Sequence, residues 1–544
     1  MYLTTGEGNE YHQVWCAKSE CLVVQCLQYS ALGDNFVSEA ADDEQPTYAG
    51  CMPGTREGVL SKFITWVKND PMSIFWLAGM AGTGKTSIAV SLCRMLRNDP
   101  TVLLGGGYFC SRSAGSIART DVRRVIPTLA TLLADQSQEF AEALAVELGS
   151  DRRVGHKPVA EQINLLLRNP LAALTSSSRH IVFLIDALDE CSSERELAEL
   201  LRLLADFNCD VKVKFILTSR PELHIRGTPI SNPDHNTILQ LHTISVEEVM
   251  SDIWLYVSGT LKYAAPDATW YANQDIEQLV ELSGGLFIFA STVLKYILDP
   301  DDDDERQDRL RKATSTVGVR TAAISVIDKV YELVLNEASR PDTVDSDELD
   351  RMKRIMACIL VARTSLSVGA LATLLSIKPG RLRASLRRLH SLIHLPADDE
   401  QLGLRMLHAS FGDYITDRAP KYLKVDATHG HDVLAQGCLR RLACDDLCFN
   451  ISRSQSSFDS CPEVTPGWIP LSLIYACLQW AHHIDASSDR FTFGEDVGRV
   501  LRSKFLFWLE ALSVLGKVSL ASGLLRIAGS AVSRLYALKY AHSI

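Results

Sequence analysis

Eight residues, GMAGTGKT from Gly79 to Thr86, constrain this chain more than any other stretch. Gly79, Gly84, Lys85 and Thr86 satisfy the pattern G-x-x-x-x-G-K-[ST]. An apolar run, Ile74 to Ala78, leads into the loop. A stretch with Ile88, Ala89, Leu92, Met95 and Leu96 at helical spacing leaves it. Strand, glycine loop and helix in that order gather main-chain N–H groups and a helix N-terminus around one point, which suits an anion. Glycines remove the Cβ atoms that would block its approach. The expectation is a cradle for nucleotide phosphates formed by Gly79, Gly82, Gly84, Lys85, Thr86 and Ser87. Lys85 would reach the β and γ phosphates, and the Thr86 hydroxyl would take one position on Mg²⁺.

A cation held by one hydroxyl and phosphates still needs a carboxylate, usually at the end of a neighbouring buried strand. The run IVFLIDALDEC supplies it. Ile181 to Ile185 read as buried strand, so Asp186 emerges at the carboxyl end, where ligands gather in open α/β sheets. Asp186 is the expected metal ligand together with Thr86. Asp189 and Glu190 follow within one turn, and either could orient or deprotonate an attacking water; Glu190 is the expected base. The next strand-like run, Val213 to Leu217, ends in Thr218, Ser219 and Arg220. Arg220 would sense the γ-phosphate, since its fork gains an ion pair there that a diphosphate does not offer. A plain salt bridge is the competing reading for Arg220.

Strand-like runs recur at Gly107 to Cys110 and Ile238 to Leu241, with helical stretches between, which predicts an α/β domain with a largely parallel sheet. After about residue 242 amphipathic helical periodicity takes over, interrupted by the acidic run Asp299 to Glu305, read as a solvated loop or helix cap, and by a Ser/Pro-rich break from Ser452 to Trp468. At 544 residues the chain exceeds one core, and roughly 150 residues per domain gives three or four domains. The expected order is a leader over 1–50, an α/β domain over 51–242, and helical segments over 243–345 and 346–420 with a helical connector over 421–544. Lys and Arg number 55 against 66 Asp and Glu, a net charge of -11, which argues against a general nucleic-acid or lipid coat. The 14 cysteines include no C-x-x-C pair, and no long apolar run or secretory leader is evident, so a reduced, cytoplasmic protein without an integral membrane segment is expected.

With these residues in place the chain resembles the NACHT-type signalling NTPases of the STAND class, abundant in filamentous fungi and related to the nephrocystin-like N-terminal NTPase module. The resemblance rests on CMPGTREGVL, GMAGTGKTSIA, GGGYFCSR, IVFLIDALDEC, KFILTSRPE, GGLFIFASTVL and RMLHASFGDYI, between residues 50 and 420. Small Ala187 between Asp186 and the Asp189-Glu190 pair is the spacing that sets NACHT proteins apart.

The resemblance implies an α/β P-loop NTPase domain, a parallel sheet with flanking helices, followed by all-α helical and winged-helix domains. It implies a switch that binds ATP or ADP with Mg²⁺, hydrolyses slowly, and opens and self-associates on exchange, with protein partners for sensing and effector output. His408 stands where relatives place a histidine that touches the diphosphate, although Leu407 and Ala409 depart from the relatives' pattern, so a plain core histidine competes. Gly284, Gly285, Leu286 and Phe287 replace the proline pattern that relatives use on adenine. The arginines at 381, 383, 387 and 388 raise a nucleic-acid contact, but the family uses this module for packing, and no nucleic acid is expected. Neither a repeat sensor nor an effector domain is evident, so a truncated product or a receptor working through a partner is expected. A non-hydrolysing ADP-bound scaffold is the alternative function, and a small-molecule kinase a third.

Overall fold

The computed structural model describes residues 50–111, 117–150, 154–174, 179–266, 269–316, 323–340, 345–364, 366–400, 402–451, 469–488 and 490–529. The leader over 1–49, with Cys16, Cys21 and Cys26, and the break from Ser452 to Trp468 lie outside them. The described chain divides into two compact units, with the boundary between Ser291 and Thr292.

In the first unit five strands form one sheet: β1 (Ile74–Ala78), β2 (Val102–Phe109), β3 (His180–Asp186), β4 (Val213–Ser219) and β5 (Thr237–Gln240). All pairings are parallel, and the order across the sheet is β2-β3-β4-β1-β5. β1 and most of β3 are continuous apolar runs because both faces are covered, while β4 carries Lys214 near its start. Ile181, Phe183 and Ile185 enter one core cluster with Trp76, Leu129 and Phe215, while Val182 and Leu184 enter the other with Phe63, Ile88, Leu92 and Ile216. Side chains that alternate along a strand thereby hold a helical layer on each face.

Two local readings shift. β2 begins at Val102, five residues before the expected Gly107, because Gly105 and Gly106 belong to the strand instead of ending it. Gly106 takes φ 145 at a register shift, and a Cβ on Gly105 would sit 2.6 Å from Phe183 Cε1. The helix after the cradle, Lys85–Arg97, buries Ile88, Ala89, Leu92, Cys93 and Leu96, whereas Met95 is 40% exposed. The first unit continues through the helices Val246–Ala264 and Asn273–Ser283 into the start of Phe287–Leu298.

The second unit is mostly helical. The order helix (Ser346–Val361), strand β6 (Leu366–Ser367), two helices (Val368–Leu375, Pro379–Leu386) and strands β7 (Ile393–His394) and β8 (Leu402–Met406) builds a small antiparallel sheet, β6-β8-β7, in a winged-helix arrangement. The helix Ala427–Leu442 lies close against its neighbours: a Cβ on Gly430 would meet Ala357 O at 2.5 Å, and one on Gly437 would meet Leu374 O at 2.5 Å. The acidic run caps a helix, since the Asp302 carboxylate accepts the Glu305 N–H at 2.9 Å and Asp303, Asp304 and Glu305 fill the first turn of Asp303–Thr316. Arg383 is occupied within the unit, donating to Asp399 and to the carbonyls of Pro396 and Ala397.

Candidate functional site

The cradle forms where β1 ends. Gly82 and Gly84 take φ 77 and 91, values that an L side chain rarely adopts, and the Gly79 N–H is tied to Ser219 O at 3.1 Å. Nothing lies within 4 Å of where a Gly84 Cβ would stand, so the loop is open there. Lys85 Nζ donates to Gly79 O at 2.8 Å and Met80 O at 3.0 Å, folding the ammonium back over its own loop. Burial pushes its pKa down from 10.5, opposed by Asp189, Asp186 and Glu190. Ser87, half-buried, completes the first helical turn.

The second stretch arrives through the sheet. Because β4 lies between β1 and β3, the end of β4 bridges the cradle and the Asp186 carboxylate. Thr218 donates to Asp186 Oδ1 at 2.5 Å and accepts the Ala187 N–H at 3.0 Å, while the Thr86 hydroxyl donates to Asp186 Oδ2 at 2.8 Å. Asp186 is 1% exposed, and burial raises its carboxyl above the usual value against the pull of Thr218, Thr86 and Lys85. Ala187 takes φ 59, a left-handed conformation that costs about 1 kcal/mol for an L residue. That strain turns the chain sharply from strand into the turn carrying Asp189 and Glu190.

These carboxylates differ. Asp189, 5% exposed, accepts the Arg220 N–H at 2.8 Å and pairs with Arg220 Nε at 3.1 Å. Arg220 thus stands at the edge the sequence indicated, held by Asp189. Glu190 is half-buried, and its N–H closes the turn on Ala187 O at 2.8 Å.

The residues also answer whether Mg²⁺ and a nucleotide fit. A hydroxyl and a carboxylate 2.8 Å apart form a hard-oxygen pair of the kind Mg²⁺ takes, beside a lysine and a glycine loop suited to phosphate. Thr86 and Asp186 would hold the metal, which when bound supplies charge neutralisation between phosphate oxygens.

Two residues outside the expected set join the site. Arg56, in the opening segment CMPGTREGVL, is 3% exposed at φ 60 and donates from Nη2 to Thr83 O at 3.0 Å. Its own N–H goes to Asp252 at 3.2 Å and its guanidinium lies 4.8 Å from the Phe287 ring centroid, tying the loop to the helical part of the first unit. The GGLFIF segment meets the loop too: Ile288 N–H donates to Gly82 O at 3.1 Å, and a Cβ on Gly82 would sit 2.1 Å from Ile288 Cγ2. His408 lies in the second unit, where it precedes the helix Ala409–Asp413. Burial and the nearby Lys295 lower its pKa to about 4, so the imidazole is neutral at physiological pH.

A parallel sheet that sets a glycine-lysine loop and a buried acidic strand end on either side of β4, whose Thr218 and Ser219 touch both, is the framework of the P-loop NTPase fold, and the chain is similar there to NACHT-type NTPases of the STAND class. Residues 54–220 match the family described as nephrocystin 3, N-terminal. The chain is 21% identical over 494 residues to the vegetative incompatibility protein HET-E-1 of Podospora anserina, across 84% of this chain and 34% of that protein, so it spans about a third of that relative's length. Among solved structures it is similar to a STAND protein with a tetratricopeptide repeat sensor from Pyrococcus horikoshii, with 13% identity, a TM-score of 0.41 and coverage of 87% of this chain and 57% of that one. It is also similar to a Walker-type ATPase of Pyrococcus abyssi, with 15% identity, a TM-score of 0.31 and coverage of 66% and 94%. None of the described helices is long and apolar enough to cross a membrane.

Proposed function

We propose that this protein is an ATP/ADP-dependent signalling switch that binds Mg-ATP, hydrolyses it slowly and acts through conformational opening and self-association. The observation that carries this reading is the meeting of Thr86 and Asp186, a hundred residues apart in sequence, at 2.8 Å beside Lys85. The setting proposed is fungal nonself recognition or programmed cell death; the Podospora relative is named a vegetative incompatibility protein.

The residues divide the work. Gly79, Gly82, Gly84, Lys85, Thr86 and Ser87 bind the phosphates; Thr86 and Asp186 hold the metal. Asp189 is spent on orienting Arg220, which leaves Glu190 to take a proton from the attacking water. Arg220 reports the γ-phosphate by leaving Asp189 for it. His408, whose neutral imidazole has one N–H donor, is assigned the diphosphate role that the resemblance implies. Moving such a switch from 1:99 to 99:1 requires about 5.5 kcal/mol of differential affinity, more than one of these contacts supplies.

Glu190→Gln tests the assignment. The variant is expected to bind Mg-ATP like the wild type in a direct titration while phosphate release falls by about 10²-fold. Unchanged hydrolysis would place the base elsewhere. Wild-type protein that purifies with stoichiometric ADP and never turns over would replace the switch with an ADP-bound scaffold.

A further inference from the structure

The carboxyl edge of the sheet carries two thiols that the nucleotide chemistry does not use. Cys110 directly follows β2, and Cys191 directly follows the turn Leu188–Glu190. Their sulfurs lie 3.6 Å apart. Both sit on fixed backbone: the Cys110 N–H donates to Asp186 O at 3.0 Å, the Cys191 N–H to Leu188 O at 3.2 Å, and the next residue, Ser192, to Thr120 O at 2.9 Å. The chain therefore presents the two sulfurs to each other before any bond exists. A disulfide would shorten their separation by about 1.5 Å, a movement that rotation about the two Cα–Cβ bonds and a small shift of the turn can share.

We propose that Cys110 and Cys191 form a reversible intramolecular disulfide, a modification site at the rim of the nucleotide cradle. The oxidant is of the peroxide class, because the residues are 4% and 6% exposed and a bulky disulfide has no access to them. One thiol gives up its proton and attacks hydrogen peroxide as the thiolate; an S–O bond forms, the O–O bond breaks, and the leaving hydroxide takes up the proton, giving a sulfenic acid and one water. The second thiol attacks that sulfur; the S–S bond forms and the hydroxyl leaves as a second water. Two thiols are oxidised by two electrons, one peroxide is reduced to two waters, and a dithiol reductant reverses the change.

The position gives the bond a consequence. Drawing Cys191 toward the end of β2 shifts the turn that carries Asp189 and Glu190, and with Asp189 its hold on Arg220. The cradle follows β1, which β4 separates from β3, so the loop Gly79–Thr86 stays where it is. Turnover falls and nucleotide affinity holds. This consequence rests on the hydrolysis proposed above; the bond itself does not.

The experiment uses the full-length chain treated with hydrogen peroxide and digested without reductant. A peptide joining the Cys110 and Cys191 segments is expected, absent after dithiothreitol and absent from Cys110→Ala. Phosphate release by the oxidised wild type is expected to fall about tenfold, as a misplacement near 1 Å at a catalytic turn implies, and to return on reduction. Cys110→Ala is expected to show no response to peroxide. No joined peptide under conditions that oxidise the exposed Cys448 overturns the proposal. A joined peptide with unchanged phosphate release overturns the coupling to hydrolysis. A reduced chain that never releases phosphate overturns the hydrolysis reading instead, and the peptide map then decides the bond alone.

Discussion

Two lysines, Lys214 buried and Lys85 half-buried, stand at opposite edges of the sheet, and the contrast between them separates function from architecture. Lys85 lies at the carboxyl edge, Lys214 near the start of β4 at the other. Burial lowers the pKa of both. Both also donate to main-chain carbonyls, so neither burial nor bonding by itself marks a site. Lys214 Nζ donates to Trp66 O, Asp70 O and Met72 O at 3.1, 2.6 and 3.1 Å, with the Trp66 ring 4.3 Å away. An ammonium has three donors, and there all three end on one fixed turn. Lys85 gives two donors to its own loop and stands among Asp186, Asp189 and Glu190. Lys214 is a pin that closes the β1 approach; Lys85 is parked on bonds that phosphate oxygens can replace.

The largest effect expected is on Lys85. Replacing it by alanine removes two to three charge-assisted hydrogen bonds to phosphate and should weaken Mg-ATP binding by about 10³-fold in a direct titration, with thermal stability nearly unchanged. Wild-type affinity in that variant would move the phosphate site off this loop. Lys214→Met should do the reverse. Taking the Lys214 donor from the carbonyls of Asp70 and Met72, while Trp66 O keeps the Asp70 N–H, costs about 2 kcal/mol of unfolding free energy, read from the denaturant midpoint, while the folded fraction binds nucleotide as before. A loss of affinity at constant stability would break the distinction.

The smallest effect sharpens it through protons. Between its lowered value and 10.5, Lys85 in the nucleotide-free protein holds less than a full proton, and an anionic ligand raises its pKa again. Nucleotide binding should therefore take up a fraction of a proton in that window and none well below it. Calorimetric titration in two buffers of different ionisation enthalpy measures the uptake. Lys214, remote from the ligand, contributes none, so Lys85→Arg should abolish the signal, and Lys214→Met should preserve it.

Much of this was legible in the residues. β1 and β3 stand out because a strand covered on both faces is apolar along its length, as Ile181 to Ile185 are, and β4 follows the same pattern except at Lys214 and its polar end. β2 was half hidden, since Gly105 and Gly106 look like a break until Phe183 and Leu132 are seen pressing against them. In the helix Glu57–Asn69, Trp66 joins Val59, Phe63 and Val67 in the core while Ile64 is only partly buried, a choice that spacing alone does not make. Arg56 escaped notice because nothing local distinguishes a buried arginine from an exposed one; its only sequence signal was the segment in which it lies. Asp189 and Glu190 are neighbours of the same charge class, and only the Arg220 contact tells them apart.

By itself the amino-acid order determined the cradle, the buried strands and the residue types that suit Mg²⁺, because loop conformation, strand burial and hydrogen-bonding capacity depend on side chains and their near neighbours. Only the tertiary structure decided that β4 runs between β1 and β3, and with it that Thr218 supports Asp186 and that Ser219 anchors Gly79. Strand order is settled by how whole helices pack on both faces of the sheet, a choice made among contacts far apart in the chain, and no local pattern of residues encodes it.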